Sequence, residues 1–147
     1  MNDQPSIITG IYPSMDPHDE LNKPLFTFYK IATIVFAIYE FYDLFNALAI
    51  KNTIVFVMCI VMVVAGLVGS IMGFLSLTKK DAGKAKTALS LYFVHIITYL
   101  VMMTLWGLAN NILGSLMLEM IIRTVVFAIC ILFGATKTNS VLQNAKA

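Results

Sequence analysis

Four stretches of this chain are apolar almost without interruption, over residues 25–50, 53–77, 87–109 and 112–135. A bilayer core about 30 Å thick is crossed by roughly 20 helical residues at about 1.5 Å rise each, so each stretch predicts one transmembrane helix. Membrane β-strands would alternate apolar and polar positions over about ten residues; runs such as 54–68 and 125–133 do not alternate. All four prolines (Pro5, Pro13, Pro17 and Pro24) precede the first stretch. The spans are therefore free of the residue that removes a backbone donor and clashes with the preceding turn. The pattern predicts an all-α, integral membrane four-helix bundle with short loops, flanked by an N-terminal tail over 1–24 and a C-terminal tail over 136–147.

Composition narrows the class. Of 147 residues, 59% are hydrophobic and 12% charged, against about 25% charged in soluble domains. That balance excludes a disordered chain, a coiled coil and an ordinary cytosolic enzyme domain. With Gly 8, Pro 4 and Cys 2, a collagen-like or disulfide-built scaffold is excluded as well. A net charge of +2, with the basic residues beside a membrane, speaks against nucleic-acid binding.

Lysines set the expected orientation. The second connection carries Lys79, Lys80, Lys84 and Lys86, and the tails add Lys23, Lys137 and Lys146, whereas the opposite face has Lys51 alone. Basic residues accumulate on the cytoplasmic side of spanning segments, so both termini and the 79–86 loop are expected to face the cytoplasm. The same lysines can engage acidic lipid headgroups. Without an Arg-rich presequence, a plasma-membrane or vesicle/endomembrane location is expected over the mitochondrial inner membrane.

Ionisable residues at membrane depth are the most informative. Glu40 and Asp43 fall in the first span, and Glu119 and Arg123 in the fourth. Each costs on the order of 2.5–3.5 kcal/mol at a helix centre unless paired or wetted. Counted from the expected span ends, Glu40, Glu119 and Arg123 lie at similar heights, and Glu119 and Arg123 have the favourable i, i+4 spacing. Thr33, Ala37, Glu40, Asp43 and Ala47 share one helical face. These relations predict a buried cluster of Glu40, Glu119 and Arg123, with Asp43 nearer the outer surface. It would serve either as a structural ion pair or as part of a proton or ion path.

Other residues carry weaker signals. His95 shares a helical face with Tyr92, Tyr99, Met102 and Trp106. Its expected depth, toward the opposite leaflet from the acids, predicts an interhelix hydrogen bond or a proton-relay role without direct contact to them. Ala65, Gly66, Gly69, Ser70 and Gly73 form a small-residue stripe that lets helices approach closely, within the bundle or between subunits. Cys59 and Cys130 lie about 18 Å apart in expected depth, too far for a disulfide. Tyr12 followed by Met15 fits a tyrosine-based sorting signal, a short pattern common by chance.

No catalytic set, phosphate-cradling loop, metal-ligand spacing or cofactor motif is present. The outline is similar to MARVEL and related tetraspan proteins in topology alone, and it lacks the outer-loop cysteine patterns of tetraspanins and claudins. The expected function is non-enzymatic: an accessory, scaffolding or membrane-organising subunit contacting other membrane proteins or further copies of itself in the lipid bilayer. A small oligomeric channel or transporter using Glu40, Glu119 and Arg123, or a vesicle-trafficking protein, are the alternatives.

Overall fold

The computed structural model describes residues 16–146. A 3-10 helix over Pro17–Asn22 leads into α1 (Pro24–Ala47), where Pro24 occupies the first turn, the position that needs no backbone donor. Asn52 opens α2 (Thr53–Lys79), its side chain accepting from the amides of Ile54 and Val55. Lys80, left-handed at φ 53°, ends that helix. Asp81 immediately caps α3 (Ala82–Ala109) by accepting from the Lys84 amide at 3.1 Å. Asn111, at φ 56°, turns the chain into α4 (Leu113–Phe127). A π-helical turn over Ala128–Leu132 then continues without a break into α5 (Phe133–Lys146).

Four helical rods are long and apolar enough to cross a membrane, and they form an all-α integral membrane fold. The α2–α3 hairpin is its centre. In their apolar windows 44% of α2 and 39% of α3 is buried inside the protein, against 22% for α1 and 17% for the last rod. Large side chains such as Ile38, Phe45, Ile54, Leu118 and Ile129 point outward, as they must where lipid rather than water surrounds the protein.

The helices overrun the apolar stretches at one end. There, α3 begins at Ala82, five residues before the expected span, because Asp81 caps it within the lysine-bearing segment. The expected C-terminal tail over 136–147 is helical through Lys146. Ala135, Thr138 and Leu142 are buried along it at helical spacing, and Gln143 Nε2 donates to Ala82 O at 3.1 Å. The 28 residues of α3 extend about 42 Å, roughly 12 Å more than the hydrocarbon core. Lys79, Lys80, Lys84, Lys86, Lys137 and Lys146 gather at this tail end, beyond the apolar length. At the far end, α1 stops at Ala47 rather than near residue 50.

Asp81 gives this end a pH dependence. The Lys84 side chain donates to its carboxylate at 2.7 Å and the Lys84 amide adds a second bond; together they hold the carboxyl below its ordinary range. A lowered folded-state value stabilises the fold above the unfolded-chain value, and that contribution disappears as pH falls through the folded one. Asp81→Asn keeps a good helix cap but removes the charge. Its acid-side loss of thermal stability in detergent is expected to be shallower than that of the parent protein.

Candidate intramembrane polar site

Helix polarity decides which charges meet. Each Cα–Cβ bond tilts toward the N-terminus of its helix. α1 and α3 begin at the tail end, whereas α4 begins at the far end. Arg123 therefore reaches toward the far end while Asp43 tilts down toward it. The Arg123 guanidinium pairs with the Asp43 carboxylate. The cation is also covered by two aromatic rings, Tyr39 at 4.8 Å and Tyr99 at 4.4 Å. An ion pair sandwiched by ring faces is a stable arrangement away from water.

The same rule separates Glu40 from Glu119. Glu40 tilts toward the tail end and Glu119 toward the far end, so similar α-carbon heights give diverging carboxylates. Glu119 is exposed and makes no ion pair among the described residues. The expected cluster of Glu40, Glu119 and Arg123 is thus corrected to an Asp43–Arg123 pair, a separately buried Glu40 and an outlying Glu119.

Glu40 is fully buried, and among the described residues neither of its carboxylate oxygens has a hydrogen-bond partner. Its nearest basic group is His95, with Nε2 at 3.7 Å from Oε1. This corrects the expectation that His95 lies out of reach in the other leaflet: counted from the far ends of the expected spans the two residues differ by only about four positions, about 6 Å of helix rise, and the Glu40 side chain leans toward the tail end, where His95 sits. The ring also donates from Nδ1 to Met62 O at 3.0 Å. Phe36 and Phe127 pack on it at 5.0 and 5.1 Å between ring centroids.

The small-residue stripe of α2 is entirely buried, and it houses polar atoms from α1 and α3. A β-carbon on Gly66 would stand 2.7 Å from Glu40 Cδ. One on Gly69 would stand 3.0 Å from the Tyr92 ring, and one on Gly73 would stand 2.5 Å from Tyr29 Oη and 2.8 Å from Tyr92 Oη. The Tyr29 and Tyr92 hydroxyls lie 3.4 Å apart. Ser70, between these levels, has a buried hydroxyl with no partner among the described residues, as does Tyr99. Sequence reasoning missed Tyr29 and Tyr39 as partners; only their helical phase relative to Thr33 and Asp43 could have signalled it. Ala65, at the far-end start of the stripe, is buried with the rest of it.

On one side the bundle is open. The backbone of α1 packs on α2, the π-helical turn and α5, but scarcely on α4. Side chains bridge the gap: Asp43 to Arg123, and Phe36 to Phe127 at 5.2 Å between ring centroids. Between α1 and α4 lies an apolar groove of about 830 Å³, with Ile31, Val35, Ile122 and Val126 on its walls, His95 in its floor and Glu119 on its flank.

Cys59 and Cys130 are free thiols. Among the described residues no three His, Cys, Asp or Glu side chains gather closely enough to hold a metal ion. Tyr12 and Met15 lie outside the described residues. No family model, curated protein or solved structure matches the chain. The fold itself defines a multi-pass, all-α membrane protein.

Proposed function

We propose that this protein is a non-enzymatic subunit of a larger membrane assembly, working by lateral contact: an apolar transmembrane helix of a partner protein seats in the groove between α1 and α4. The observation that carries this reading is the groove, an apolar recess between α1 and the least buried rod of the fold. Glu119 adds a chemical requirement. An exposed carboxylate at membrane depth is costly without a partner, so the docking helix carries a basic or hydroxyl-bearing side chain at that level. Small residues and polar groups are the usual means of helix association in lipid, where hydrophobicity supplies no drive between helices.

Filling the recess tests the reading. Ile122→Trp or Val126→Trp is expected to abolish co-purification of the partner in mild detergent, and Glu119→Lys to reduce it at least tenfold. Val64→Trp, on an outward position of α2, is expected to leave it unchanged. Equal retention in all four variants would remove the groove from the interface.

A second reading, a small oligomeric proton pathway, is favoured by a different observation: the full burial of Glu40 without a hydrogen bond. Its test is proton flux into vesicles containing the protein, with loss of flux on Glu40→Gln. A trafficking role would rest on Tyr12 and Met15, and unchanged localisation after removal of residues 1–20 would dispose of it.

A further inference from the structure

We propose that Glu40 and His95 form a proton-binding site inside the bundle, holding one exchangeable proton between Glu40 Oε1 and His95 Nε2.

Met62 O is a carbonyl and can only accept, so His95 Nδ1, 3.0 Å away, carries the hydrogen. A neutral imidazole with its proton on Nδ1 presents a lone pair at Nε2. Facing that lone pair at 3.7 Å is Glu40 Oε1, and an ionised carboxylate is also acceptor-only. Two acceptors opposed in a fully buried space, with no donor in contact, are strongly unfavourable. One added proton converts the opposition into a donor–acceptor pair. A small rotation of the Glu40 side chain then closes 3.7 Å to hydrogen-bond distance. Whether the proton sits on the carboxyl or on the ring, the pair holds the same number.

The charges within the bundle call for the same proton. The groups near Glu40 are Tyr39 and Asp43 on its own helix, Cys59 on α2, His95 on α3 and Arg123 on α4. The single permanent cation, Arg123, is already engaged by Asp43 and by the Tyr39 and Tyr99 rings. Two carboxylates against one guanidinium leave one negative charge out of water, and the shared proton neutralises it. The surroundings exclude other donors. Gly66 presents no side chain to the Glu40 carboxyl, whose atoms occupy the space a β-carbon would take. Phe36 and Phe127 cover the imidazole.

This site requires neither lateral docking nor flux, and its test reads the proton itself. The chain has two histidines. His18→Gln, a change in the 3-10 helix ahead of α1, leaves His95 as the sole histidine. Full-length protein carrying only that change, labelled with nitrogen-15 histidine and placed in bilayers, is examined by NMR between about pH 5 and 8. Nδ1 is expected to be protonated, and Nε2 to show a shared or bound proton over at least the acidic half of that range. Adding Glu40→Leu is expected to shift Nε2 to a bare, non-hydrogen-bonded signal. Infrared spectra of the otherwise native protein are expected to show a buried carboxylic-acid or hydrogen-bonded carboxylate band that Glu40→Gln removes and Glu119→Gln does not. A bare Nε2 throughout the range in the protein that retains Glu40 would overturn the proposal. An unprotonated Nδ1 would do so as well, since Nε2 would then already carry the ring's own hydrogen. Because the first measurement needs only the His18 change, instability of the Glu40 variants does not shelter the idea.

Discussion

Replacing Arg123 with leucine is expected to destabilise the bundle by about 3 kcal/mol, the lower end of the range for removing one partner of a buried ion pair. The loss comes less from the missing attraction than from Asp43, which would be left as an unpaired carboxylate at membrane depth. The lower end applies because the Arg123 and Asp43 side chains retain 19% and 10% exposure. Loss of the guanidinium also uncovers the faces of Tyr39 and Tyr99, which otherwise stack on it. The double variant Asp43→Leu/Arg123→Leu is expected to recover more than half of the loss, since removing both charges of a buried pair is often close to neutral. Denaturation by SDS in mixed micelles, run as a double-mutant cycle, measures both terms. A single variant as stable as the parent would show that Asp43 reaches water without Arg123. Unchanged stability together with altered proton flux in vesicles would favour the pathway reading over the structural one.

The sequence carried the spans well and the contacts poorly, for reasons visible in particular residues. Apolar runs long enough to cross a bilayer have few other solutions, so four helices followed directly from them. The face bearing Thr33, Glu40, Asp43 and Ala47 was legible because four buried positions at helical spacing fit only one side of α1. Partnering was not legible from heights alone. Glu40 and Glu119 match in depth at the backbone, yet side chains on antiparallel helices lean opposite ways, and this brings Arg123 to Asp43 instead. His95 was misplaced because an assignment to leaflets overstated its distance: about four residues of helix rise separate it from Glu40, and a glutamate side chain leaning toward the tail end spans them. The helical C-terminus was hidden by its polar composition. Its one signal was Ala135, Thr138 and Leu142 at spacings of three and four residues, the side that packs beside the start of α3. The glycine stripe was legible as small, but what it accommodates depends on Glu40, Tyr29 and Tyr92 from two other helices.

Two glycines of the last rod are expected to respond in opposite directions to the same added methyl group. Gly134→Ala places a β-carbon 2.6 Å from both Cβ and Cγ of Tyr29. Those atoms are the root of a side chain that is 1% exposed, so rotation cannot move them aside, and α5 must back away from α1. Overpacking of this kind costs about 1–3 kcal/mol, which outweighs the gain of up to about 1 kcal/mol from replacing glycine in a helix. Separation there has a second consequence, because Tyr29 Oη is set against Gly73 and the Tyr92 hydroxyl. Gly114→Ala, by contrast, meets nothing within 4 Å among the described residues. It lies in the first turn of α4, where the propensity gain is expected to stabilise by about 0.5 kcal/mol. Parallel SDS titrations of the two variants should therefore fall on opposite sides of the parent protein. A destabilised Gly114→Ala would mean that α4 is covered at its far end by something the isolated chain lacks. A stabilised Gly134→Ala would mean that α1 and α5 are not held together at Tyr29.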